Sequence, residues 1–299
     1  MHIECLKYFY DVVQMKSISK VANASHISQP ALSQQIQKLE ESLGHRLLNR
    51  SNKGVELTSS GKVVLKYAEN LLENYDNMLE DLKALNKHHN IRVSSCYIIA
   101  TYALPCAIYQ LTQKFPDCRY ILNAYSSDKV ESEVENEVCD LGFIYGRPNL
   151  ESLMGFKIAT DNLVVVAAQK YNINNEICLE DLLKHSLIMF GDEFKVKKKL
   201  NDYFLNSGNA SFIENVFNVD SYESVKSVVL KGYGIAFLPY MSVKKELFTE
   251  QLKAVNIIDN LKWEREFEIY GIYKKNKELN PAVLESIKYM HNEGKKSFC

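Results

Sequence analysis

The chain has 299 residues, of which 36 are basic and 37 acidic, which gives a formal net charge of -1. A net charge this small provides no general electrostatic attraction to nucleic acid or to a membrane surface. This length predicts two domains. The seven cysteines are odd in number and show no Cys-x-x-Cys spacing, and no apolar run is long enough to span a bilayer. These features predict a cytoplasmic protein with reduced thiols, no signal peptide and no cofactor or metal.

The first predicted elements are two helices near the N-terminus. Phe9, Val12 and Val13 form an apolar stripe on the first, and Ser17 is placed to cap a second, short helix that runs through Ala22. Residues 23–27 then form a tight connection into a third helix. Two helices joined by such a turn are typical of a helix-turn-helix.

The helix over residues 28–40 carries the most specific functional signal. Pro30 stands just inside its start, where a missing N–H costs nothing, and Ser28 can cap the exposed amides. Leu32, Ile36 and Leu39 recur at helical spacing and form its apolar face. The other face carries Gln29, Ser33, Gln34, Gln37 and Lys38. Because glutamine can pair with adenine and serine can contact bases or phosphate, this face predicts a DNA recognition helix.

A two-stranded wing is predicted after this helix. Leu43-Gly44 is typical of a helix stop, and residues 46–58 indicate two strands with cations at their tip. A small helical domain with a charged hairpin is the alternative, but helix, glycine stop and cationic wing in this order favour DNA binding. The predicted DNA contacts are Ser28, Gln29, Pro30, Ser33, Gln34, Lys38, Arg50 and Lys53.

This arrangement resembles the LysR-type transcriptional regulators. The matching residues are Phe9, Ser17, Val21-Ala22, Ser28-Gln29-Pro30-Ala31, Ser33, Gln35-Ile36, Leu39-Glu40, Leu43-Gly44, Leu47, Arg50, Leu57-Thr58 and Gly61. Val21 and Leu48 are mild departures, because the family usually has alanine and often phenylalanine there. The resemblance implies a regulator that binds double-stranded promoter DNA, with RNA polymerase as a further partner.

A heptad pattern begins after Ser59. Apolar residues alternate at spacings of four and three, with a second row at sevens: Val64, Ala68, Leu71, Tyr75, Met78, Leu82 and Leu85, then Leu65, Leu72 and Leu79. One helix cannot bury such a seam alone, so a second subunit or an intramolecular bundle must cover it. Because paired half-sites need a dimer, residues 59–89 are predicted to be a dimerising linker helix, with contacts at Val64, Leu71, Tyr75, Met78 and Leu82. The resemblance implies that two dimers join into a tetramer.

The rest of the chain alternates strands and helices, which predicts a largely parallel sheet with covering helices. Strands are predicted at 91–96, 119–124, 139–145, 163–168, 187–190 and 267–273, and helices at 101–115, 129–137, 225–231 and 281–293. Further matches to the family are Leu104-Pro105, Phe115-Pro116, Asp140-Leu141-Gly142 and Gly232-x-Gly234-Ile235-x-x-Leu238-Pro239. They imply an effector-binding domain with two α/β lobes of periplasmic-binding-protein type.

The predicted architecture is therefore α/β: a winged helix-turn-helix, a long linker helix and a two-lobed effector domain. The predicted boundaries are 1–58 for the DNA-binding domain, 59–89 for the linker and 90–299 for the effector domain. Within the effector domain, the first lobe takes about 90–160 and 270–299, and the second about 161–269.

Ligands in such folds bind beyond the carboxyl ends of the strands. The strand ends and the resemblance predict an effector cleft between the lobes, lined by Tyr97, Ile98, Ser126, Tyr145, Phe190 and Tyr222. Ile98 stands where many family members have a hydroxyl, and the rest of the lining is largely aromatic. A small aromatic or mostly apolar effector is therefore favoured, unless these rings only pack the lobes together.

Two other functions are alternatives to effector-controlled DNA binding. The chain has no G-x-S-x-G, H-E-x-x-H, Walker or G-x-G-x-x-G motif, which argues against an enzyme with a DNA-binding head. The pair His88-His89 and the acidic run from Asp128 to Glu137 are interpreted as solvated helix surface. A thiol-based redox sensor of the same architecture is the stronger alternative, with Cys96 and Cys139 as its candidate thiols.

Overall fold

The computed structural model describes residues 2–51, 54–84, 89–182, 184–191, 196, 198–200, 202, 216–258, 266–275, 279 and 281–298. The chain divides into two compact units, Met1–His88 with Asn136–Val138, and His89–Glu135 with Cys139–Cys299. Within the described ranges, no helix combines the length and the apolarity needed to cross a membrane.

The first unit is a winged helix-turn-helix that continues into a long helix. Its elements are α1 Ile3–Met15, α2 Ile18–Ala24, α3 Gln29–Leu43, β1 Leu48–Ser51, β2 Gly54–Leu57 and α4 Ser59–Ala84. The antiparallel pair of β1 and β2 forms the wing. Phe9, Leu32 and Ile36 are fully buried at the centre of its core.

The helix ends lie where local chemistry places them. The Ser17 hydroxyl accepts a hydrogen bond from the Lys20 amide, and the Ser28 hydroxyl accepts one from the Ala31 amide, so both predicted N-caps are confirmed. Gly44 ends α3 with φ +71°, a left-handed conformation that glycine adopts without strain.

The start of α4 is held against the wing. The Thr58 hydroxyl accepts from the Gly61 amide at 2.9 Å and donates to the Arg46 carbonyl at 2.7 Å. A Cβ at residue 61 would stand 2.1 Å from the Leu47 carbonyl oxygen, so only glycine permits this approach.

The second unit is a mixed α/β domain. Its helices are α5 Tyr97–Tyr102, α6 Leu104–Lys114, α7 Ser127–Glu135, α8 Leu179–Leu182, α9 Tyr222–Leu230, α10 Tyr240–Phe248 and α11 Pro281–Phe298. Its strands are β3 His89–Cys96, β4 Cys118–Tyr125, β5 Leu141–Tyr145, β6 Leu153–Ala168, β7 Glu176–Ile177, β8 Leu187–Met189, β9 Val216–Asn218, β10 Ile235–Pro239, β11 Leu252–Ile257 and β12 Glu266–Lys274.

A single long strand, β6, runs through two lobes. Its residues 153–162 pair with β12, which pairs with β5 and completes a first-lobe sheet with β3 and β4. Its residues 163–168 pair with β10 and β11 of a second-lobe sheet that also contains β8 and β9. Each lobe has its own apolar cluster, around Phe143 in the first and Val225 in the second.

The expected parallel sheet is correct only at the outer strands. β3 pairs in parallel with β4 and β5, and β8 with β9 and β10, but β6 and β12 run antiparallel to their neighbours. The prediction missed the first half of β6 because residues 153–162 are mostly exposed or half-buried and lack a continuous apolar pattern. The elements α8, α10, β7, β9 and β11 were also not predicted.

Two local expectations were wrong. The helix predicted over 101–115 begins only at Leu104, as α6, because Pro105 lacks an N–H and its ring clashes with a preceding helical turn. Residues 101–102 instead end α5, which was otherwise not predicted. The acidic face of α7 is only partly solvated: Asp128 is exposed, but Glu131 and Glu133 are only 4% and 1% exposed. Glu131 accepts the amides of Asn149 and Leu150, and Glu133 accepts the Ser94 hydroxyl.

Candidate DNA-binding surface and effector cleft

The outer face of α3 is polar and open to solvent. Of the predicted DNA contacts, Ser28, Gln29, Pro30, Gln34 and Lys38 are exposed and Ser33 is half-buried, while Leu32, Ile36 and Leu39 are buried beneath them. Residues three or four apart lie on the same face of a helix, so the apolar face of α3 packs against the core while its polar face stays in solvent. The exposed set offers hydroxyl, amide and ammonium groups within one stripe, the chemistry that reads base edges and phosphates.

A carboxylate holds the wing against α3. Glu40, in the last turns of α3, accepts the amides of Leu47 at 2.7 Å and Leu48 at 3.1 Å through the same oxygen. The strand β1 therefore starts at a set position relative to α3. Arg50 is in β1, but its side chain lies outside the described part of the chain, as does the whole of Lys53.

The long helix α4 carries a stripe of exposed apolar side chains. Its members are Val63, Tyr67, Leu71, Tyr75, Met78 and Leu82, each between 37% and 60% exposed. The predicted seam residues Val64 and Ala68 instead pack against the core of the first unit, together with Leu65 and Leu72. Leu85 lies outside the described residues. The sequence pattern therefore missed Val63 and Tyr67, because the N-terminal half of α4 has two apolar faces.

In the first lobe, three predicted lining residues stand at one edge of the sheet. Cys96 of β3 pairs with Tyr125 of β4, so the next residues, Tyr97 and Ser126, lie side by side. β5 runs parallel to β3 and ends at Tyr145 on the same edge. Tyr97 is 39% exposed, Ser126 is exposed and Tyr145 is half-buried. These positions match the carboxyl-end location where α/β folds bind ligands.

The second lobe contributes Phe190 and Tyr222 at the corresponding position. Phe190 follows β8, and Tyr222 begins α9, whose start is capped by Ser221. The Phe190 ring lies 5.0 Å from Tyr222 and 5.8 Å from Tyr97, both edge-on. Three of the predicted lining residues therefore form an aromatic cluster, in which the contact between Tyr97 and Phe190 joins the lobes.

An acidic group at this junction was not predicted. Asp161, on β6 and only 5% exposed, accepts the Tyr145 hydroxyl at 2.9 Å, and its other oxygen accepts the amides of Asn162 and Met241. Burial raises the pKa of Asp161, although the three hydrogen bonds act against it. The signal in the sequence is weak: an acid two residues before the apolar run 163–168.

Ile98 is brought to the junction but is not open to a ligand. It is 1% exposed and belongs to the apolar cluster of the second lobe. An effector contact at Ile98 stays a prediction that requires α5 to shift.

The candidate redox thiols, Cys96 and Cys139, are both reduced. Cys96 is the last residue of β3, whereas Cys139 lies just before the start of the parallel strand β5. Burial raises the pKa of the Cys139 thiol to about 12, and Cys96 is fully buried. Among the described residues, no group of three or more His, Cys, Asp or Glu could hold a metal ion.

Residues 86–295 match the family described as LysR substrate binding domain, and residues 3–62 match the family described as bacterial regulatory helix-turn-helix protein, lysR family. The chain is 27% identical over 282 residues to a probable RuBisCO transcriptional regulator of Cyanidium caldarium, covering 91% of this chain and 88% of that one.

Two solved structures share the fold. The crystal structure of CbnR, a LysR family transcriptional regulator, superposes with a TM-score of 0.72 at 19% identity and covers all of both chains. Full-length CbnR complexed with its target DNA gives 0.69 at 19% identity, covering 98% of this chain and all of that one.

Proposed function

The chain belongs to the LysR family of transcriptional regulators, and from this premise we propose that α3 reads promoter DNA while the cleft between the lobes binds a small-molecule effector. The observation that carries the DNA-reading proposal is the exposed row of hydroxyl and amide groups that opens α3 at Ser28. CbnR, which shares this fold, has been crystallised with its target DNA. The proposed contacts are Ser28, Gln29, Pro30, Ser33, Gln34 and Lys38 on α3, with Arg50 and Lys53 on the wing.

The roles of these residues differ. Gln29, Ser33 and Gln34 are near the N-terminal end of α3, the part of a recognition helix that meets base edges. Lys38, Arg50 and Lys53 are cations suited to phosphate or a narrow minor groove, so they add affinity without sequence preference.

The DNA-reading proposal is tested by selecting bound sequences from random DNA with the full chain. Gln29→Ala and Gln34→Ala should each reduce discrimination at one base step by about 1–3 kcal/mol, because each removes a hydrogen-bond pair to a base edge. Competition binding against single-base variants of the selected site measures this loss.

Gln113→Ala is the matched control, because Gln113 is an exposed glutamine on α6 of the second unit. It should bind every variant of the site like the wild type. If both α3 variants keep wild-type affinity and sequence preference, α3 does not read the bases.

We further propose that the effector contacts Tyr97, Ile98, Ser126, Tyr145, Phe190 and Tyr222 and is aromatic or mostly apolar. The aromatic lining and the buried acid Asp161 support this class over a small polyanion. Binding alters the equilibrium between lobe arrangements, since a ligand shifts only a state that it binds better.

A thermal-shift screen of a metabolite library against the full chain tests this second proposal. Ser126→Ala and Tyr145→Ala should weaken binding of any stabilising compound at least about tenfold while leaving operator affinity unchanged. Tyr109→Ala, at an exposed tyrosine on α6, is the control. Equal shifts in all three variants would place the effector elsewhere.

The stripe on α4 supports self-association through Leu71, Tyr75, Met78 and Leu82, whereas the predicted seam residue Val64 packs against the core of the first unit. We assign the chain no catalytic activity, because its sequence lacks a catalytic motif; turnover of a compound that binds the cleft would revive the enzyme alternative. We propose that the chain acts in the cytoplasm, the compartment indicated by its odd number of cysteines without Cys-x-x-Cys spacing.

A further inference from the structure

Helix α5 belongs to the first lobe by chain order, but its two faces pack in different lobes. Ile99 of α5, and Ala103 directly after the helix ends, lie in the apolar cluster of the first lobe. Ile98 and Tyr102, four residues apart and therefore on one face, pack against the cluster of the second lobe. α5 also packs against α10 of the second lobe. This helix is therefore a bridge between the lobes.

The far end of this bridge is held by a cluster of polar groups on the second lobe. The Tyr102 hydroxyl donates to Glu223 and accepts from Lys226 Nζ at 3.2 Å, and that Nζ lies 4.9 Å from the centre of the tyrosine ring. Lys226 also pairs with Glu223 at 3.1 Å and with Glu246 at 3.3 Å. The side chains of Lys226 and Glu246 are only 12% and 13% exposed, so water screens their interaction much less than it would on the surface.

The protonation states favour this arrangement at neutral pH. Burial and the hydrogen bond to Glu223 raise the pKa of Tyr102 to about 12, so its hydroxyl keeps the proton that it donates. Burial alone would lower the pKa of Lys226, but its hydrogen bonds to Tyr102 and Glu223 outweigh that effect and raise the pKa.

The near end of α5 makes a second contact with the same lobe. The ring of Tyr97 meets Phe190 edge-on, and Phe190 in turn meets Tyr222 at the start of α9. Both ends of α5 are therefore attached to the second lobe, one through aromatic rings and the other through Tyr102 and its polar partners.

We propose that α5 is a clasp whose contact between Tyr102 and the pair Glu223–Lys226 sets how readily the two lobes separate. When the lobes part, Lys226 keeps both of its carboxylate partners, because Glu223 and Glu246 are on the second lobe with it. Opening therefore leaves no unpaired buried charge; what it loses is the hydrogen bonds and ring contact of Tyr102, the contact of Tyr97 with Phe190 and the burial of Ile98. An orphaned buried charge would add greatly to that cost and favour a single closed state.

The clasp adds to the proposed function, because it would regulate access to the same cleft. Any effect of the clasp on transcription rests on the proposed function. Its effect on lobe opening does not. Tyr97 and Ile98, two of the proposed effector contacts, are on the helix that must move. An effector that displaces α5 would therefore replace contacts between α5 and the second lobe with contacts between the effector and the cleft.

Hydrogen–deuterium exchange of the full chain, followed by mass spectrometry without any ligand, tests the clasp. Tyr102→Phe keeps the ring and removes the hydroxyl, so amides in α5 and α9 should exchange about tenfold faster, the effect of losing one hydrogen bond to a charged group. β5, in the first-lobe core, should exchange as in the wild type. Tyr109→Phe, at an exposed tyrosine of α6, is the control and should change nothing.

A double-mutant cycle with Glu223→Gln sharpens the test. If Tyr102 acts through Glu223, the two substitutions together should speed exchange less than the product of their separate effects. Unchanged exchange in α5 and α9, equal acceleration in β5, or independent effects in the cycle would each overturn the clasp.

Operator binding in the same variants separates this proposal from the proposed function. Tyr102→Phe should bind the selected DNA like the wild type, because the clasp is in the second unit. If the wild-type chain selects no DNA sequence, the proposed function fails, but the exchange experiment still decides whether α5 holds the lobes.

Discussion

At the scale of single residues, burial decides which thiols can react. Cys139 is 4% exposed, and its burial, with Glu133 and Asp140 nearby, raises the pKa of its thiol to about 12. The reactive form of cysteine is the thiolate, and a raised pKa keeps the thiol protonated. Cys106, by contrast, is exposed on α6.

Thiol labelling of the native chain with a disulfide reagent at pH 8 checks this difference. Cys106→Ser should remove a fast phase of labelling, whereas Cys139→Ser should leave the fast phases unchanged. Loss of a fast phase in Cys139→Ser would contradict the burial argument and restore the redox sensor as a candidate function.

Residues whose roles are local could be predicted, and residues with distant partners could not. Ser17, Ser28 and Gly44 act on atoms within four positions of themselves, so sequence spacing was enough to place them. Asp161 meets the amide of Met241, 80 residues later, and Glu133 meets Ser94, 39 residues earlier. A carboxylate on a helix or strand looks solvated in the sequence unless such a partner is known.

At the scale of elements, α4 has two apolar faces, and residues from both of them fit one heptad pattern in the sequence. Val64 and Ala68 follow the same spacing as Leu71 and Met78, but the first pair packs into the core of its own unit and the second pair is exposed. Spacing predicts which residues share a face; it does not predict what covers that face.

The strands of the second unit show a related limit. β3, β4 and β5 were all predicted within two residues of their bounds. β6 was predicted only over its final, buried residues, because most residues of its first half are exposed or half-buried. The position of the cleft follows from β6, since this strand passes from one lobe to the other.

At the scale of the whole molecule, the chain combines a helix that we propose reads DNA, an exposed apolar stripe that we propose pairs subunits, and a cleft between two lobes. One recognition helix offers a small interface, and the net charge of -1 adds no general attraction to DNA. Specific binding therefore depends on the winged helix-turn-helix domains of two subunits. When one of them binds its half-site, it raises the effective concentration of the other at the second half-site. The exposed apolar stripe of α4 is the surface that would pair them.

Footprinting on the selected DNA, with sedimentation of the same samples, tests this central claim most directly. The wild-type chain should sediment as a dimer or larger assembly and protect two symmetric half-sites. Leu71→Ser with Leu82→Ser should sediment as a monomer with its second unit folded and bind the paired site at least about a hundredfold more weakly. Asp76→Ser, an exposed polar position on α4, should behave like the wild type. A monomeric wild type that protects the same paired site would contradict the account.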